Sequence, residues 1–163
     1  MSNHLFSSFK NISVLGASGK MGRGIVLLFA RRILEFNLKH KEKHHLFAID
    51  VSLDGLEQML LYIELQSIKY AEKNSQAIRE LYTGYPNLVN ELDYVRLYTK
   101  DIQCLISVSD TLESTHNSEL VFEAVAENVN LKTRLLQSID KKSSVCPFFF
   151  TNTSSIPIST IEK

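Results

Sequence analysis

The chain has 163 residues, 18 Lys+Arg against 18 Asp+Glu, and 44% hydrophobic residues. That composition describes one globular domain and excludes disordered, collagen-like and coiled-coil chains. A balanced charge offers no uncompensated basic field to a phosphate backbone, which argues against nucleic acid as the main partner.

Met1 to Lys10 carries neither a leading basic cluster nor an apolar stretch, so no secretory or transit segment is read and the cytoplasm is the expected compartment. From Asn11 on, short apolar runs alternate with long helical periodicity, the pattern of a βαβ chain with a parallel sheet. Ile12-Ser-Val-Leu-Gly16 is the first predicted strand. Met21, Ile25, Leu28, Phe29, Ile33 and Phe36 then form an apolar stripe at helical spacing. Within that helix lies the longest unbroken apolar run, Ile25 to Ala30, six residues where about 20 span a bilayer. No membrane-spanning helix is expected.

His44 to Asp50 reads as the second strand. Leu53, Leu56, Met59, Leu60 and Ile63 open a helix that the pattern carries to about Leu81, before Gly84-Tyr-Pro86. Asn87 to Asp101 is ambiguous. The third strand is placed at Gln103 to Val108, the fourth at Leu120 to Val125, and a fifth at Val145 to Thr151, after a helix lined by Leu131, Leu135, Leu136 and Ile139. The almost wholly apolar fifth strand suits a parallel strand covered on both faces. Cys104 and Cys146 lack CxxC spacing and sit in strand-like apolar runs, so both are read as small buried hydrophobes. The expected architecture is a Rossmann-like α/β fold: a doubly wound, mainly parallel sheet in the order 3-2-1-4-5-6, with helices on both faces.

Between the first strand and its helix stands Gly16-Ala17-Ser18-Gly19-Lys20-Met21-Gly22. Glycines permit a tight strand-to-helix reversal and let backbone N–H groups approach a pyrophosphate, whose charge the helix N-terminus favours. The spacing is GxxGxxG, one residue longer than the common GxGxxG. A purely structural turn uses the same residue types. Asp50 closes the second strand, where a carboxylate accepts hydrogen bonds from adenosine ribose hydroxyls and repels a 2′-phosphate, favouring NAD over NADP. It lies 28 residues after Gly22, longer than the usual interval of about 20, with the excess in Arg31 to His45. A solvated strand-end aspartate is the plainer reading.

Two later segments narrow the class. Leu120-Val-Phe-Glu-Ala-Val-Ala126-Glu127-Asn-Val-Asn-Leu-Lys132 and Thr151-Asn152-Thr-Ser154-Ser155, following Met21-Gly-Arg-Gly-Ile25, closely resemble the NAD-binding domain of 3-hydroxyacyl-CoA dehydrogenases. The likeness covers both ends of the chain and is weak from residue 30 to 105. It implies oxidation of the 3-hydroxyl of an acyl-CoA with hydride passing to NAD. It also implies pyrophosphate at Gly16 to Gly22, adenosine ribose at Asp50, and Ala126, Glu127 and Lys132 along the nicotinamide half. Ser154 would donate to the substrate oxygen, and Asn152 would position substrate and cofactor. Without the family, Asn152 to Ser154 read equally as a turn that caps a helix. Glu123 receives no assignment.

The family's general-base histidine stands about twenty residues beyond the Asn-Thr-Ser-Ser segment by resemblance, and none of His4, His40, His44, His45 or His116 occupies that place. His40, His44 and His45 read as a solvated basic loop, His116 as a solvent-exposed residue, and no metal site is expected. Lys69 and Lys73 could meet the phosphates of an acyl-CoA, but read first as the wet face of a helix. The expectation is therefore one dinucleotide-binding domain over residues 1–163, incomplete, lacking the family's helical C-terminal domain and inactive alone. With its fifth strand at an open edge it should form homo-oligomers. Two alternatives stay open: a non-catalytic nucleotide-binding module, or another NAD(P)-dependent reductase, since Gly-Ala-Ser-Gly-Lys-Met-Gly also looks like the opening turn of dihydrodipicolinate reductases.

Overall fold

A computed structural model describes residues 8–161; His4 lies outside them. Five strands form one sheet: β1 (Asn11–Leu15), β2 (His45–Ile49), β3 (Ile106–Ser109), β4 (Leu120–Glu123) and β5 (Phe148–Thr151). Their order is β3-β2-β1-β4-β5 and every pairing is parallel. This is the doubly wound order anticipated, with the chain reversing direction between β1 and β4.

Alternation along the strands divides the core. Ile12 and Val14 of β1 lie in register with Leu46 and Ala48 of β2 and with Leu120 and Phe122 of β4. That face packs against α1 (Lys20–His40), α2 (Leu53–Lys73), α3 (Ser75–Leu81) and α4 (Glu91–Leu105). The opposite face buries Leu15, Ile49 and Val121 with Ile139 of α5 (Val129–Lys142), beside a 3-10 turn at Leu112–Thr115. A short α6 (Ile158–Ile161) follows β5.

Several expectations shift. The buried face of α1 is Gly22, Val26, Leu27, Ala30, Ile33, Leu34 and Phe36, while Met21 and Leu28 are exposed. Gly22 and Ala30, too small to count as apolar signals, let the helix approach the sheet and so set which face is inner. The helix predicted to reach Leu81 is broken at Asn74, whose backbone N–H and side-chain amide both donate to the Tyr70 carbonyl. The ambiguous stretch contains α4, started by a capping box in which Asn90 and Asp93 bond each other's backbone N–H. Because α4 runs to Leu105 and meets β3 with no intervening loop, the third strand begins at Ile106 rather than Gln103.

Both cysteines are exposed, not buried. His44, expected in a solvated loop with His40 and His45, is buried: its ring lies edge-on to Phe36 at 5.0 Å and its Nδ1 is 2.9 Å from Asn37 Oδ1. His116 is half-buried and its carbonyl accepts from Ser143 and Ser144. β5 stands at the open edge of the sheet, and Phe148, Phe149 and Phe150 are 61%, 37% and 45% exposed, so its faces are not both covered. No helix among the described residues is long and apolar enough to cross a membrane.

Candidate functional site

The carboxyl ends of β1, β2, β3 and β4 open into a cleft of about 510 Å³, lined mainly by apolar groups. Such a position, outside the strand ends at the switch point, is where open α/β sheets bind ligands. Gly16, Ser18, Gly19, Asp50 and Ala126 line it. Sequence reading missed Val51, Asp110, Leu112, Leu131 and Leu135, which also line it. Their only signal was position just after a strand or on the inner face of α5.

The glycine turn is built for close approach. Gly16 has φ +71°, a left-handed conformation, and a Cβ there would lie 2.6 Å from the Ala124 carbonyl oxygen. A Cβ on Gly22 would lie 2.0 Å from the Gly16 carbonyl oxygen; neither position accepts a side chain without displacing backbone. Gly19 caps α1 in extended conformation with no side chain over the helix end. The first turn of α1 therefore has neither a side chain bonded over its N–H groups nor an acidic residue, and Gly19, which precedes it, lines the cleft. Lys20 and Met21 are exposed there, whereas Ala17 and Gly22 are buried and shape the turn from beneath.

Asp50 stands at the end of β2 and reaches toward this turn. Its Oδ2 accepts from the Ser18 backbone N–H at 3.0 Å and the Ser18 hydroxyl at 2.6 Å, and its Oδ1 accepts from the Ser52 N–H at 3.2 Å. Ser18, in the lengthened stretch between the first two glycines, thus packs into the corner between β2 and α2. Gly55 makes room for it, since a Cβ there would lie 2.8 Å from Ser18 Cβ.

A second group of polar residues lies beyond the cleft lining, where β4, α5 and β5 meet. Lys132 is 1% exposed and Glu123 0%. The Lys132 ammonium donates to Glu123 Oε2 at 3.0 Å and to Glu127 Oε2 at 2.7 Å. Glu127 Oε1 accepts from the hydroxyls of Thr153 and Ser155. The Lys132 ammonium, with those hydroxyls, holds the Glu127 carboxyl down to about 2. Burial by itself lowers the Lys132 pKa, but the two bonded carboxylates outweigh it and leave the ammonium raised. Lys132 was expected along the cofactor; the structure places its ammonium inside this bridge instead. Asn152 and Ser154 are exposed after β5, next to the bonded Thr151, Thr153 and Ser155. Glu123 and Thr151 went unrecognised, although a lone glutamate in an apolar strand signals a buried charge that needs a partner. Among the described residues no cluster of His, Cys, Asp and Glu could hold a metal ion.

Comparison with known proteins bears on this arrangement. Residues 11–163 match the family model of the 3-hydroxyacyl-CoA dehydrogenase, NAD binding domain. The mitochondrial hydroxyacyl-coenzyme A dehydrogenase of Mus musculus is 30% identical over 152 residues, covering 93% of this chain and 41% of that protein. A probable 3-hydroxybutyryl-CoA dehydrogenase of Bacillus subtilis is 29% identical over 155 residues, covering 93% and 43%. Among solved structures, (S)-3-hydroxybutyryl-CoA dehydrogenase from Ralstonia eutropha superposes with a TM-score of 0.65 at 20% identity, covering 94% of this chain and 44% of that one. The 3-hydroxybutyryl-CoA dehydrogenase of Escherichia coli K12 gives 0.65 at 22% identity, covering 94% and 26%. The structural likenesses carry the fold. The chain spans about two fifths of the length of the curated relatives named here.

Proposed function

Because the chain belongs to the 3-hydroxyacyl-CoA dehydrogenase family and carries its NAD-binding domain over residues 11–163, we propose that it holds NAD for oxidation of a 3-hydroxyacyl-CoA to the 3-oxoacyl-CoA in fatty-acid metabolism. The observation that carries this reading is the glycine cradle, whose backbone leaves no space for a Cβ at Gly16 or Gly22, opening on an apolar cleft with Asp50 at its rim. These residues fit a dinucleotide. The N–H groups of Ala17, Ser18 and Gly19 are already donated, to the Ile49 carbonyl, Asp50 and the Gly16 carbonyl, so the pyrophosphate is taken by the first-turn N–H groups at the positive end of α1.

Asp50 takes the adenosine ribose. Three of the roughly four acceptor positions of its carboxylate are occupied by Ser18 and Ser52, leaving one for a ribose hydroxyl. A 2′-phosphate at that place meets a like charge, worth about 4 kcal/mol at 4 Å with an effective dielectric of 20. Ala126, Glu127 and Asn152 border the nicotinamide half, and Ser154 donates a hydrogen bond to the oxygen of the acyl-CoA being oxidised or reduced. When bound, NAD supplies the hydride acceptor. Removal of the hydroxyl proton needs a base that none of the described histidines provides. His45 and His116 lie toward the amino ends of β2 and β4, and His40 and His44 at the far end of α1.

Calorimetric titration of the 163-residue chain with NADH and NADPH tests the cofactor assignment. NADH binds in preference, and Asp50→Ala erodes that preference by weakening NADH and relieving NADPH. Absence of binding of either nucleotide to a demonstrably folded chain defeats the reading. Given acetoacetyl-CoA and NADH, the same chain turns over about 10²–10⁴-fold more slowly than a family member with its base in place; loss of NADH absorbance measures this, and a comparable rate would show that the base lies within these residues.

A further inference from the structure

Glu123 has no task in cofactor binding, yet its buried carboxylate accepts three hydrogen bonds. Its Oε2 accepts from Lys132 Nζ at 3.0 Å and from Thr151 Oγ1 at 2.6 Å, and its Oε1 accepts from the Val125 N–H at 2.7 Å. One side chain thus joins the chain leaving β4, the first turn of α5 and the end of β5. A well-packed apolar pair of similar volume would stabilise such a place as well as an ion pair does. What the ions add is directional placement.

The placement is specific. After β5, alternate residues are bonded: half-buried Thr151 to Glu123, and half-buried Thr153 and exposed Ser155 to Glu127, which shares Lys132 with Glu123. The residues between them, Asn152 and Ser154, are left exposed. The backbone is held as well, with the Asn152 N–H donating to the Glu123 carbonyl at 2.9 Å. We propose that Glu123 is a positioning residue, which acts through Thr151 and the Lys132–Glu127 bridge to set where Asn152 and Ser154 stand against the nicotinamide half of NAD. The inference rests on the cofactor reading above and extends it to a residue that touches neither cofactor nor substrate.

ADP-ribose contains the adenosine and pyrophosphate parts of the cofactor but lacks nicotinamide, so it separates the two ends of the site. The 163-residue chain is titrated with NADH and with ADP-ribose as wild type, Glu123→Gln and Thr151→Val. Glu123→Gln keeps size while removing charge; Thr151→Val deletes one hydrogen bond and leaves the ion pair intact. NADH affinity falls about five- to tenfold in Glu123→Gln and about threefold in Thr151→Val, the scale of one or two lost bonds, while ADP-ribose affinity stays within about twofold. Equal losses for both ligands show a merely structural role and overturn the inference, as do unchanged NADH affinities in both variants. If Glu123→Gln does not fold, Thr151→Val decides by the same comparison. A wild-type chain that binds both ligands equally overturns the inference but leaves the dinucleotide site standing. One that binds neither overturns the cofactor reading and the inference together.

Discussion

At Glu127, local chemistry is strong enough to be tested by pH alone. Its carboxyl is held down to about 2 in the folded chain by Lys132 and the hydroxyls of Thr153 and Ser155, against an ordinary value of 4.5. A depressed carboxyl stabilises the fold above its unfolded value and loses that contribution as pH falls through the folded one. The urea midpoint of wild type therefore exceeds that of Glu127→Gln by a constant margin above about pH 4.5, and the two converge toward pH 2. Parallel curves across that window would show that the ionised carboxylate is not what ties the segment down. Glu127 itself was legible in the sequence because it belongs to a short run, Glu-Ala-Val-Ala-Glu, whose resemblance is local. The burial of Lys132 was not. It depends on Glu123, nine positions earlier in the chain, lying beneath the first turn of α5 once β4 has joined the sheet. The glycines divide in the same way: Gly16 and Gly22 announce a turn by their spacing, whereas Gly55 matters only because Ser18 reaches it across the fold.

The elements differ in how much of their environment they carry in their own residues. The five strands were recognisable because apolar runs of this length have few alternatives, and their ends moved by only a few positions. α4 escaped a firm reading although its Asn90–Asp93 capping box is a local signal, because its buried face, Val95, Tyr98, Thr99 and Ile102, carries only two aliphatic side chains. Apolar content did not tell which strand would be covered. β5 is nearly all phenylalanine, yet its rings stay partly exposed: Phe148 lies edge-on to Phe9 at 5.4 Å and Phe150 stacks on Phe122 at 6.4 Å. Its outer edge, beyond the pairing with β4, presents backbone groups and aromatic surface together, the combination that promotes edge-to-edge association. The 163-residue chain should accordingly self-associate as concentration rises, and Phe148→Lys should shift it toward monomer. Sedimentation velocity reads both, and a wild-type chain monomeric at every concentration would remove β5 as an association edge.

Across the whole molecule, the sheet order sets the chemistry's address. β1 is paired with β2 on one side and β4 on the other, so the glycine turn, Asp50 and the segments after β4 and β5, far apart in sequence, converge at one end of the sheet. The alternation of strand and helix, the phosphate turn with its lengthened spacing, the acidic end of β2 and the family resemblance were all determined by the sequence alone. Each depends on residues that are neighbours along the chain: periodicity, backbone freedom and a charge at a strand end. The tertiary structure alone decided that His44 is buried and the cysteines are not, that α1 turns Gly22 and Ala30 inward, that the faces of β5 are left uncovered, and that Glu123 and Lys132 pair in the interior. Burial is a property of what arrives from elsewhere in the chain, and a charge becomes a bridge only when folding removes water and brings its partner within bonding distance.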